Sequence, residues 1–365
     1  VSGIHHFVPV LHRGDAVGRH TLRLRDATRA RGLRSEIYVD TVEAETAGET
    51  IPVLDYPGAA QRGDVVVYQF ATASAMAPWL AGRSETLVVN YHNITPPDLM
   101  APWDNHLALG QQRAQRDLRL LAPRTTLAVA DSAYNEAHLA GSGFAATAVI
   151  PPSAALDAGV MAAAAGAARA PASRPAGRGA RWLAVGRVSP NKALESTVAA
   201  LTVARAHGDP EATLQIIGKP ATESYVSSLQ RYVAEMGLAG AVTFAGHASD
   251  STVAAAYGSA DVLVVTSEHE GFCVPVVEAM SAGLPVVAFD QGAVPEVLGD
   301  AGVLVSDKDP YALAASIRDL LADAPRRAAL SAAGRRRLAE LDLESAADRF
   351  VSLLVPLVGE TAGPV

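Results

Sequence analysis

Residues 268–280, EHEGFCVPVVEAM, set Glu270 and Glu278 eight positions apart, with a glycine, a cysteine and a proline between them. On an unbroken helix the two carboxylates would sit about two turns apart. Pro275 argues against one, because a helix interior tolerates proline poorly while its first turn accepts it. The pattern predicts a loop over 268–274, a helix with Pro275 at its first position, Gly283 as its cap and Pro285 beyond it. Glu278 then falls at the end of the first turn and Glu270 stays in the loop. Free N–H groups at such a helix start favour an anion such as phosphate. A second stretch, VGRVSPNK at 185–192, places Gly186, Arg187 and Lys192 about a turn and a helix expected to open near Pro190. Two cations beside a small turn and a helix start suit a diphosphate. The stretch is not a P-loop, which would need Gly at 191 and Ser or Thr at 193; the chain has Asn191 and Ala193. Each residue alone has a plainer explanation, as a dipole-complementing or solvated glutamate or a surface cation. Cations near a helix N-terminus oppose the dipole, however, which favours an anionic partner.

These residues need elements to hold them. Short apolar runs alternate with helical patterns along the chain: IHHFVPV, SEIYVD, DVVVYQF, TLVVNYH, TLAVA and TAVIPP in the first half, then RWLAVG, TLQIIG, VTFAG, DVLVV, PVVAF and GVLV. Such alternation is that of βα units in a parallel sheet, and the lack of polar alternation fits sheets covered on both faces. Between the halves, residues 151–178 are rich in Ala, Pro and Gly and are expected to be a linker, with a short helix near 157–168. The fold class expected is α/β: a doubly wound, Rossmann-like domain over 1–150, the linker, a second such domain over 179–340, and an amphipathic helix over 341–365 packed back on the body. Ligands of such sheets bind beyond the carboxyl ends of the strands, and the two edges are expected to face each other across a cleft.

Composition narrows the function. A chain of 365 residues, 49% hydrophobic and 19% charged, has ample core. Its formal charge of -8 argues against a general nucleic-acid binder. The single cysteine, Cys273, excludes an internal disulfide. No signal peptide or membrane-length apolar run is evident, so the cytoplasm is the expected location. Lysine occurs only at 192, 219 and 308, against abundant arginine, so each lysine is more informative than usual.

The stretches GRVSPNK, FAGHAS, SEHEGFCVPVVEAMSAGLPVVAFDQGAVPEV and AGVLVSDKDPYALAASI resemble, in order from about 180 to 320, the donor half of retaining GT-B glycosyltransferases of family GT4. The resemblance implies that Glu270 and Glu278 are the family's E-x7-E pair, with Glu270 at the sugar and Glu278 on the ribose hydroxyls. It implies that Arg187 and Lys192 hold the diphosphate, that backbone groups of Gly186, Gly271, Phe272, Cys273 and Val274 line sugar and phosphate, and that the base lies near Lys219 and His247. Cys273 stands where many members have Gly. In the first half, HRGDAVG resembles the family's glycine loop, with Gly18 toward the donor, and VVNYHNITPP resembles the strand ending in His-Asp. His92 matches the His near the donor sugar; Asn93 replaces the Asp.

Some features have plainer explanations. His5 and His6 are adjacent in a strand and point to opposite faces, so they cannot share a metal. The D-x-D at 307–309 precedes Pro310 and a helical pattern, making Asp309 an N-cap. Seven arginines lie between Arg13 and Arg34, but residues 1–150 balance 13 basic against 15 acidic side chains, so a solvated helix face is favoured over anionic lipid. The resemblance thus implies a metal-independent, retaining glycosyltransferase without a cofactor, taking a nucleotide-diphospho-sugar and a small-molecule, glycan or lipid acceptor. An epimerase, a phosphorylase or a non-catalytic sugar-nucleotide binder on the same fold is the alternative, as is an inverting enzyme using His12 and Asp15.

Overall fold

The valine-rich runs form strands, which the computed structural model arranges in two parallel sheets. It describes residues 2–155, 161 and 178–359, so most of the linker expected over 151–178, with its short helix, lies outside the described residues. Within them, 2–97, 106–154 and 342–359 make one unit; 98–105 and 178–341 make another.

In the first unit β1 (Ile4–Val10), β2 (Ile37–Thr41), β3 (Thr50–Pro52), β4 (Val65–Phe70), β5 (Thr86–Tyr91), β6 (Thr125–Ala130) and β7 (Thr147–Val149) pair in the order β3-β2-β1-β4-β5-β6-β7, all parallel. β4 and β5 are buried along their whole length, as strands covered on both faces must be. Alternation sends Val66, Tyr68 and Phe70 into an aromatic core with Phe7, Tyr38 and Tyr56. Val65 and Val67 face the other way, onto Phe350, Val351 and Leu354 of the helix Ala346–Leu354. That helix is tied further by Arg31, whose guanidinium donates to Asp348 O at 2.9 Å and Ser352 Oγ at 3.0 Å. The arginines along the helix Ala16–Ala30 are taken up within the unit. Arg19 and Arg23 donate to the carbonyls of Ala154 and Ser153, Arg25 pairs with Glu49 and Asp26, and Arg29 pairs with Glu36.

In the second unit β8 (Arg181–Val185), β9 (Thr213–Ile217), β10 (Val242–Gly246), β11 (Val262–Val265), β12 (Val286–Phe289) and β13 (Val303–Val305) pair in the order β10-β9-β8-β11-β12-β13, again all parallel. Strand order reverses between β8 and β11, which lie side by side with Val262 opposite Trp182. A doubly wound sheet opens its ligand crevice at the carboxyl ends of such a pair. Trp182, Leu214, Ile216 and Val264 centre the core. The excursion 98–105 joins this unit through Trp103, whose ring meets Tyr225 edge-on at 5.0 Å.

Candidate functional site

β8 ends in Gly186, whose φ of 131° suits glycine. Gly218, after β9, packs so closely that a Cβ there would come within 1.8 Å of Gly186 O. The chain then makes a 3₁₀ turn over Pro190–Lys192 rather than the α-helix expected to open there. Lys192 N closes on Ser189 O at 2.9 Å and Ala193 N on Pro190 O at 3.0 Å. Ala193 takes a left-handed φ of 45°, and the helix runs from Leu194 to Ala206. The left-handed residue redirects the chain, and Lys192 lines a concavity with Gly186, Arg187, Thr266, Glu270 and Cys273. Arg187 is exposed there.

The other wall follows β11. Cys273 has φ 73°, a left-handed conformation that glycine adopts more readily than a residue with a side chain. The helix is Val274–Ser281, so Pro275 is its second residue rather than its first and Glu278 its fifth, one step beyond the first turn. No side chain caps this helix start. Leu284 N donates to Ala279 O at 2.9 Å across Gly283, whose φ is 66°, closing the helix as expected. The Glu270 carboxylate pairs with the Lys192 ammonium and accepts from Ser267 Oγ at 2.7 Å. The Cys273 thiol lies beside that carboxylate; burial first, then the neighbouring charge, pushes its pKa far up. Asn191 stitches the two walls: its Nδ2 donates to His269 O at 3.1 Å and its carbonyl accepts from Glu268 N at 2.8 Å. Behind the loop, Gly292 at φ 61° approaches so closely that a Cβ would lie 2.7 Å from Glu270 O. Lys308 pairs with Glu268, so two of the three lysines bind glutamates of one loop. Glu278 is 3% exposed and accepts from Tyr257 Oη at 2.9 Å. Lys219 and His247 are exposed just beyond β9 and β10.

In the first unit, His92 follows β5 at the sheet's carboxyl edge. Its Nε2 faces Gln69 Oε1 at 2.8 Å and its Nδ1 faces Asp131 Oδ2 at 3.0 Å, so both ring nitrogens are engaged inside the protein. Asn90 Nδ2 also donates to Gln69 Oε1, at 2.9 Å. The carboxylate partner missing at Asn93 is therefore supplied by Asp131, the residue after β6. Asn93 itself has φ 79°, a conformation asparagine tolerates better than most residues. Gly18 has a packing explanation, because a Cβ would fall 1.8 Å from His12 O. Its N–H donates at 2.7 Å to Asp15, the N-cap of the helix Ala16–Ala30. His5 and His6 are both buried, and burial above all lowers the pKa of His6 to about 3.

Residues 171–337 match the family of glycosyl transferases group 1. The match takes in a little under half of the chain. The chain is 38% identical over 143 residues to the MMP alpha-(1->4)-mannosyltransferase of Mycolicibacterium hassiacum, covering 38% of this chain and 34% of the relative. A D-inositol 3-phosphate glycosyltransferase of Geodermatophilus obscurus is 33% identical over 189 residues, covering 49% of this chain and 41% of the relative. The chain thus spans about a third to two fifths of the length of these curated relatives. Among solved structures, Anabaena HepE in complex with UDP-glucose matches with a TM-score of 0.76 at 18% identity, covering 98% of this chain and 100% of that one. Sucrose-phosphate synthase from Thermosynechococcus elongatus matches at 0.74 and 20%, covering 97% and 99%. The fold is that of the GT-B glycosyltransferases.

Within the group 1 region, sequence reasoning had named Gly186, Arg187, Lys192, Glu270 and Cys273, and one concavity gathers all five. It had missed Ser267 and Tyr257, which donate to Glu270 and Glu278, and Asn191 and Lys308, which tie down the neighbouring loop at 268–269. Only Lys308 had a usable signal, its rarity. Asp309 caps the helix Pro310–Ala322 by accepting from Ala312 N at 2.8 Å, and Asp307 accepts from Asp309 N at 2.9 Å. Among the described residues, no cluster of three or more His, Cys, Asp or Glu side chains could hold a metal, and no helix is long and apolar enough to cross a membrane.

Proposed function

We propose that the chain is a retaining glycosyltransferase that moves a sugar from a nucleotide-diphospho-sugar to an acceptor hydroxyl without a divalent metal. The observation that carries this is the concavity at the carboxyl ends of β8 and β11, where Arg187 and Lys192 meet Glu270 beside an uncapped helix start. Breaking the sugar–phosphate bond leaves an oxocarbenium-like sugar and a diphosphate anion. The two cations and the N–H groups at the start of Val274–Ser281 stabilise that anion as it forms. Glu270 orients the sugar, Glu278 serves the ribose hydroxyls, and the departing phosphate takes the acceptor proton. Mannosyl donors and an inositol-phosphate acceptor, drawn from the relatives' names, are the first substrates to try.

Thermal shift with UDP, GDP, ADP and dTDP sugars identifies the donor, since a ligand at a hundredfold its Kd adds about 2.7 kcal/mol. Transfer by the selected pair in EDTA, with an α-linked donor giving an α-linked product by proton NMR before mutarotation, is the expected result. Dependence on added manganese or magnesium, or a β-linked product, would overturn the corresponding part of the proposal.

A further inference from the structure

Lys192 cannot serve two anions equally. Its ammonium already pairs with Glu270, whose carboxylate also accepts from Ser267 Oγ at 2.7 Å and lies in a residue only 9% exposed. Arg187 lines the same concavity, is exposed and has no ion pair among the described residues, so it is the cation an incoming anion meets first. A diphosphate placed there approaches a carboxylate of its own sign, and like charges in a partly buried site repel strongly. The ammonium is a point charge on a flexible stem and can turn from one acceptor to the other. Glu270 keeps a donor when it does, because the Ser267 hydroxyl is fixed two bonds from the chain at the end of β11.

We propose that Glu270 and the donor diphosphate compete for Lys192, with Ser267 as the positioning residue that holds the Glu270 carboxylate through the exchange. Diphosphate binding then releases Glu270 to the sugar, and an empty site keeps it neutralised. This rests on the donor-site reading above and adds a coupling between two of its residues. It also predicts that one of the site's own carboxylates weakens binding of the free nucleotide.

The test is calorimetric titration of the full chain with UDP, GDP, ADP and dTDP. Glu270→Gln, which keeps shape and removes charge, should bind the preferred nucleotide about three- to tenfold tighter than wild type. In the Lys192→Ala background the same change should gain less than in wild type, because only relief of the direct repulsion remains and the competition is gone. Ser267→Ala should weaken binding about two- to threefold, since Glu270 then leans wholly on Lys192. If wild type binds no nucleotide, the donor-site reading fails. If wild type binds and Glu270→Gln binds no tighter, or gains as much without Lys192, only the competition is wrong. Unchanged binding by Ser267→Ala removes Ser267 from it.

Discussion

On the proposed reading, Lys192 and Arg187 each meet a leaving charge at a site where preformed countercharge matters most. Replacing either by Ala should cost about 3 kcal/mol in the transition state, about a hundredfold in kcat, with the melting temperature nearly unchanged. Wild-type turnover in either variant would remove that residue from the reaction. Cys273 should behave oppositely to a catalytic thiol. Burial and the Glu270 carboxylate hold it protonated, and the thiolate is the reactive form. Ellman's reagent should therefore leave it unlabelled in the folded protein near neutral pH and titrate it fully in denaturant; prompt labelling of folded protein would contradict its placement. At this scale the chain was most legible where residue type was rare or spacing was strict. Lys192, Glu270 and Cys273 announced themselves in that way. Asp131 did not, because its partner His92 lies 39 positions away and only the adjacency of β5 and β6 unites them. Asp131→Ala leaves a buried ring nitrogen without its acceptor and should cost about 1–3 kcal/mol in urea denaturation.

The elements that hold these residues depend on close backbone approaches. Gly292 is the clearest, being both left-handed and pressed on Glu270. Gly292→Ala combines strain of about 1–3 kcal/mol with a displaced loop. It should weaken nucleotide binding by more than tenfold while the far-ultraviolet spectrum stays native; unaltered affinity would show that the loop tolerates the shift. Asp309→Ala loses a cap worth about 1 kcal/mol and should leave activity in EDTA untouched. Strands built from continuous Val and Ile were readable because both faces of each sheet are covered. β3 was not: three residues, TIP, at a sheet edge have neither length nor periodicity, and Pro52 argues against a strand unless the edge is known. The helix at Leu194 was placed four residues early because Ala193 gives no compositional sign of a left-handed turn.

At the scale of the molecule, the two sheets followed from the alternation of runs, whereas the assignment of 98–105 to the second unit had no local signal. It rests on the Trp103 ring meeting Tyr225, a pairing of residues far apart in the chain. The helix Ala346–Leu354 closes one face of the first sheet through Phe350, which is fully buried. Phe350→Ala should cost about 3–5 kcal/mol. Chemical denaturation should show that loss, while calorimetric nucleotide affinity measured well below the transition stays at the wild-type value. A matching loss of affinity would mean that the two units do not bear their loads separately.

The placement of Phe350 also sets a schedule. A chain leaving the ribosome exposes Ile4, Val65, Val67, Val88 and Val129 long before residue 350 is made, and no earlier segment supplies the ring that covers them. The second unit, encoded almost entirely between 178 and 341, can mature while that apolar face of the first still lacks Phe350, Val351 and Leu354 and is covered only in part, by Leu24, Leu33 and Ile150. Nascent chains halted before residue 346 should therefore recruit holdase chaperones and resist release in soluble form, and chains extended past 354 should not. In synthesis order, the unit begun first is the unit finished last.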